Sequence, residues 1–146
     1  MAGLILADIH NALADQIRAG VDRQTSVSAF PDGSTVYPCV TVHSDPEYIS
    51  YWGTFGPNGD ADLKLRIVIE VDAGDLTSIC LKIADYLSVG TGNGSSIVDA
   101  VMGDRTLGGV VGDCVVLTAE WDSENEPAKA VLPVQIILRK VNAEVA

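Results

Sequence analysis

The sequence predicts an α+β domain: a mostly antiparallel or mixed sheet of four to six strands with helices packed on one face. Three observations carry that expectation. First, Ala61 to Asp72 (ADLKLRIVIEVD) alternates, with Leu63, Leu65, Ile67, Ile69 and Val71 apolar and Asp62, Lys64, Arg66 and Glu70 between them. A period of two over ten residues is a strand with one buried and one wet face, and only Val68 breaks it. Burying five such side chains is worth roughly 8–15 kcal/mol before entropy is counted. Second, Leu76, Ile79, Cys80, Ile83 and Leu87 follow at helical spacing, with Lys82 and Asp85 off that stripe. Ala73-Gly74-Asp75 makes the turn between them, and Asp75 is placed as the N-cap. Third, Ala130, Leu132, Val134, Ile136 and Leu138 alternate again near the end of the chain. A strand handing directly to an amphipathic helix means a sheet covered by helix.

The other elements attach in order. Leu6, Ile9, Leu13 and Ile17 mark one face of a first helix over residues 4–19, with Gly20 as its stop. Thr25 to Phe30 is a short strand closed by Pro31-Asp32-Gly33. Val36 to His43 (VYPCVTVH) is a β-branched strand ending at His43, with Pro38 at its start or on an edge. Tyr48 to Phe55 and the central strand then form a long hairpin, its tip within residues 53–61. After the second helix, Gly90 to Gly94 is a connector, and Ser95 or Ser96 caps a short helix through Met102 that Arg105 to Gly109 ends. Val115, Leu117, Ala119 and Trp121 alternate as a strand. Pro133 lies on the polar face of the last strand, which marks that strand as an edge or as bulged. One domain spans residues 1–146, with its core in 4–141 and a frayed tail at Asn142 to Ala146.

Composition narrows the partners. The chain has 146 residues, 9 Lys and Arg against 20 Asp and Glu, and a net charge of −11. Neutralising phosphates needs clustered cations, so nucleic-acid binding and anionic membrane surfaces are both disfavoured. Cys39, Cys80 and Cys114 are scattered beside apolar runs and read as small buried hydrophobes rather than disulfide or metal partners. The N-terminus lacks a basic segment before its apolar run, and no apolar stretch reaches 18 residues. The expected product stays inside a cell or is built into something assembled there.

Chemistry-bearing motifs are scarce. Gly90-x-Gly92-x-Gly94 follows a helix, has the wrong spacing for a dinucleotide fingerprint and lacks the Lys of a phosphate loop. Asn58, Asp60 and Asp62 imitate the start of a calcium loop, but Leu63 stands where Gly is required and Ile69 where Glu is required. His10 and His43 read as surface or partly buried structural histidines. No nucleophile motif occurs, so no catalytic residues, cofactor or metal are expected.

The aromatic stretch is different. Tyr48, Tyr51, Trp52 and Phe55 are half of the eight Phe, Trp and Tyr residues. Alternation can bury Ile49 with Tyr51, or Tyr48 with Trp52, but not all of them, so some rings project from the hairpin. Exposed aromatics on a protruding element suit a protein interface, with burial in the core as the alternative.

The order of these features resembles the tail terminator proteins of long-tailed bacteriophages, those of actinobacterial phages in particular. The resemblance runs over residues 4–141. Its most specific pieces are Tyr51-Trp52-Gly53-Thr54-Phe55-Gly56 and Asp104-Arg105-Thr106-Leu107-Gly108-Gly109-Val110. The resemblance implies a structural virion protein of the tail neck, assembled in the host cytoplasm, with no enzymatic activity and no cofactor. It implies a homohexameric ring on the head-proximal end of the tail tube, stopping polymerisation of the tube protein and joining the head's neck proteins. Genomic DNA passes through such a ring, and an acidic wall does not hold it. A head–tail connector and a tail completion subunit share this size and layout, and a small ligand-binding or regulatory α+β domain is the alternative of a second class.

Overall fold

A computed structural model describes residues 6–21, 25–31, 38–51, 61–71, 76–89, 96–109, 111–116, 118–122 and 128–138. Its elements are α1 (Leu6–Gly20), β1 (Ser26–Ser28), β2 (Cys39–Tyr51), β3 (Ala61–Val71), α2 (Leu76–Leu87), α3 (Ile97–Met102), β4 (Asp113–Val116), β5 (Glu120–Asp122) and β6 (Ala128–Leu138). The strands form one mixed sheet in the order β1-β2-β3-β6-β4, and β5 also pairs with β6. Among the described strand pairs, only β1–β2 is parallel. The expected α+β class and the β2–β3 hairpin are therefore present, while the hairpin tip lies outside the described residues.

The alternation of β3 fixes the layers. Leu63, Leu65, Ile67 and Ile69 are fully buried, as are Leu132 and Ile136 opposite them on β6 and Val40 and Val42 on β2. Ile9, Leu13 and Ile17 of α1, Ile83 and Tyr86 of α2, and Ile97 and Val101 of α3 join the same cluster. The three helices among the described residues thus clad one face of the sheet. On the other face, Val68 faces Thr41 and Val131 across its two neighbours and is only 9% exposed. The residue that breaks the alternation therefore adds an apolar spot to the face without helices.

Local details follow from packing. Ser96 caps α3, its Oγ accepting from Asp99 N at 3.0 Å. Gly20 is the last residue of α1 rather than a stop beyond it, and closeness is the reason for glycine. A Cβ there would lie 2.4 Å from Cβ of Ala100, so only hydrogen fits where α1 meets α3. Next to this contact, Gln16 Nε2 shares its two hydrogens among the carbonyls of Ala100, Val101 and Asp104 at 2.8–2.9 Å; the first two lie at the end of α3, and the third also accepts from Leu107 N.

Four expectations need correction. His43 does not end its strand, because β2 runs on to Tyr51 through an irregularity between Ser44 and Ile49. The strand expected over Val115 to Trp121 is two short pieces, β4 and β5, and the phase is opposite in β4, whereas in β5 Trp121 pairs with buried Ala130 on the expected side. Cys114, not Val115, is fully buried, because Cys114 faces Ile136. A one-residue register slip then separates Val116–Val134 from Glu120–Val131, and Trp121 is left 45% exposed. On α2 the buried stripe includes Tyr86, whose hydroxyl is 2.7 Å from Thr25 Oγ1. Finally, β6 is flanked on both sides rather than forming an edge. The described pairs on its outer side stop at Val134 and resume at Val131, so Pro133 stands where β4 gives way to β5. A residue without an N–H costs the ladder nothing at such a break.

Candidate functional site

Of the four aromatics expected at an interface, Tyr48 is the one whose side chain is described. Tyr51 closes β2 with its side chain outside the described residues, and Trp52 and Phe55 lie outside them altogether. Tyr48 is half-buried and turned inward. Between Ser44–Leu65 and Ile49–Leu63, β2 takes five steps while β3 takes two. Asp45, Pro46 and Glu47 sit in that bulge, and the surplus chain cancels the alternation, so Tyr48 and Ile49 both pack against the core.

Tyr48 ends on a histidine. His10, on α1, is 3% exposed and has both ring nitrogens engaged. Nδ1 lies 3.1 Å from the carbonyl of Ala29 and Nε2 lies 2.9 Å from the Tyr48 hydroxyl. A carbonyl can only accept, so Nδ1 carries the proton and Tyr48 O–H donates to Nε2. Phe30 stacks on the imidazole at 4.4 Å between centroids, with the planes 10° apart. Burial pushes the His10 pKa below the ordinary histidine value, against a smaller upward pull from the Ala29 carbonyl. A neutral ring with both nitrogens used has no lone pair for a substrate. His10 is thus a structural post for Tyr48, buried further than its place at the edge of the α1 stripe suggests.

Around this post opens a groove of about 470 Å³. His43 lines it, with its pKa lowered first by burial and then by Arg66, Glu70 opposing and Lys129 adding to the lowering.

A second built feature is the turn after α3. The Asp104 carboxylate accepts from Thr106 Oγ1 at 2.8 Å, Thr106 N at 3.1 Å and Gly108 N at 2.9 Å. These bonds, the Thr106 hydroxyl first, hold its pKa below the usual carboxylate range. Leu107, Gly108 and Gly109 follow with φ of 51°, 74° and 91°, which places the Leu107 side chain in the core. Arg105 closes the corner with two nitrogens on Asp113 at 2.8 and 2.7 Å. Every polar group named here is spent on holding the turn, so its chemistry is structural.

Nucleophile and metal chemistry find little footing. Burial, with Asp113 beside it, pushes the Cys114 thiol up to about 12, so no thiolate forms there at neutral pH. Cys39 is buried, Cys80 is half-exposed, and all three cysteines are free thiols. Among the described residues, no three His, Cys, Asp or Glu side chains gather as metal ligands. No described helix is long and apolar enough to cross a membrane.

Fold and site together define a class: an α+β domain with the described helices on one sheet face and an aromatic-lined groove at one edge. No protein-family model matches the chain, and no curated protein matches it.

Proposed function

We propose that this chain is a structural protein of a phage tail neck, of the tail terminator type. In this reading it closes into a homohexameric ring on the head-proximal end of the tail tube, stops tube growth and receives the neck proteins of the head. The observation that carries the reading is the sheet face opposite the described helices. Val68, Val131, Pro133 and Ile137 share it with Lys64, Arg66 and Gln135; Val68 is buried, the others are half-buried, and none of them belongs to the core that the described helices join. A half-apolar face opposite the described helices is suited to burial against a second subunit. The net charge of −11 agrees with a channel through which DNA slides unbound. Of the aromatic stretch Tyr48, Tyr51, Trp52 and Phe55, the last three are the proposed contact to a neighbour or to the tube. Tyr48 contributes by anchoring the arm through His10.

The test is solution mass by light scattering over a wide concentration range, with negative-stain images of the same sample. Hexamers with a central hole are expected, and Trp52→Ala weakens them without changing the circular dichroism spectrum. A protein that stays monomeric and also fails to cap growing tail tubes overturns the reading.

A further inference from the structure

Arg66 lies midway along β3, on the sheet face opposite the described helices, and its Nε is buried without a hydrogen-bond partner. Across the sheet it faces His43 on β2 and Pro133 on β6, and along its own strand face its neighbours are Lys64 and Val68. None of the four carries a carboxylate, and Lys64 is a like charge held by Glu47. The carboxylates on the same face of β3 are Asp62 and Glu70, each four residues from Arg66 and so about 13 Å away along the strand. Asp62 accepts from Gln135 with one oxygen and has the other buried without a partner, so it does not meet Arg66. Glu70 stands between Cys39 and Lys129.

For one chain alone this arrangement is unfavourable. A guanidinium cannot shed its proton at any working pH, so its burial is not relieved by neutralisation. A buried donor without an acceptor has lost its water and gained nothing in exchange. The charge is felt next door: burial first lowers the His43 pKa, and Arg66 is the leading charge that adds to the lowering, with Glu70 opposing and Lys129 adding last. The Nε edge of a guanidinium is a planar fork that matches the two oxygens of a carboxylate. Val68, Val131 and Pro133 give such a pair an apolar setting, in which it is stronger than in water. The chain has 20 Asp and Glu against 9 Lys and Arg, so a second copy of itself is rich in the acceptor that Arg66 lacks.

We propose that this face receives a second copy of the chain and that Arg66 takes a carboxylate of that copy on its Nε edge. The inference rests on the ring reading for the face and its occupant, and it adds the residue whose charge holds the contact.

The test is sedimentation velocity of the full chain and of its Arg66→Met variant over a range of concentrations, with thermal melts of each at the lowest one. Methionine keeps most of the apolar stem and has no donor, so the dilute variant should melt at the same temperature or higher. Its association should need at least about tenfold more protein, as loss of one charge-assisted contact implies. Arg66→Lys, which keeps the charge but not the fork, should fall between the two. Equal association of Arg66→Met overturns the inference and leaves the ring reading standing. A lower melting temperature of dilute Arg66→Met also overturns it, because Arg66 would then serve the fold. A wild-type chain that stays monomeric throughout overturns it too, since the carboxylate would have to come from another protein, and capping of tail tubes then decides the ring reading alone. Assemblies that need Arg66 but are not hexamers uphold the inference and count against the ring.

Discussion

β3 has a neighbour on each side, and the two neighbours treat it differently. β6 follows it through eleven successive pairs, from Ala61–Leu138 to Val71–Ala128, without one register shift. β2 follows it for six pairs and then bulges between Ser44 and Ile49. The cause lies in the residues. On β6, the one residue unfit for a ladder is Pro133, and it stands at the break between β4 and β5. On β2, Asp45, Pro46 and Glu47 are all poor strand formers and come in succession, so the ladder yields there. The regular half holds the molecule together. The irregular half turns Tyr48 toward His10 and opens the groove, so it is the half that presents chemistry.

Three measurements press on that contrast, and the largest effect belongs to the regular half. Ile67 is fully buried between Val42 and Leu132. Ile67→Asp leaves a charge there without a partner, at a cost of several kcal/mol, comparable to the whole stability of a domain. Circular dichroism should show no cooperative melt, and a soluble protein that melts sharply would place the register of β3 elsewhere. Tyr48→Phe, in the irregular half, strips His10 Nε2 of its donor inside a buried site. Chemical denaturation should record a loss of about 1–3 kcal/mol with the fold intact. A loss as large as that of Ile67→Asp would end the distinction between the two halves.

The smallest effect is in pH. His10 and His43 titrate below the ordinary value of 6.5 in the folded chain and return to it on unfolding. Below that value the unfolded chain binds protons that the folded chain refuses. Their contribution to stability is therefore complete above about pH 6.5 and is lost as the pH falls through the lowered folded values. Melting should occur at a lower temperature near pH 5.5 than near pH 7.5. His10→Gln should flatten part of that slope, and an unchanged slope would mean that His10 is charged in the fold.

What could be read in the sequence was whatever had a single phase. β3 alternates with charged residues between its apolar ones, so its buried face had one solution. The β4–β5 stretch did not: Cys114, Val115, Val116 and Leu117 are all apolar, and only pairing with Ile136 selects Cys114. On α2, Tyr86 and Leu87 competed for the same stripe, and the choice was made by Thr25, which is 61 residues away in the chain. The candidate site was hidden for the same reason. His10 and Tyr48 are 38 residues apart, and neither carries a local pattern that points to the other. The aromatic stretch did mark the right strand, but the bulge that turns Tyr48 inward is a property of the β2–β3 ladder and not of either strand.

The seam between α1 and α3 has a consequence in time. Gln16 reaches the carbonyl of Ala100 across 84 residues, and Gly20 lies against that same residue. On the ribosome α1 is made well before α3, and a helix of 15 residues is marginal in water without a surface to lie on. The seam with α3, unlike the contacts of α1 with β2, therefore waits through the synthesis of the whole β2–β3 hairpin and α2. Closing so long a loop is slow compared with forming the hairpin. A chain released before Asp104 keeps the bonds from His10 to Ala29 and Tyr48 and from Arg18 to Val27, but lacks the Gln16 bonds and the Gly20–Ala100 contact that complete the seam.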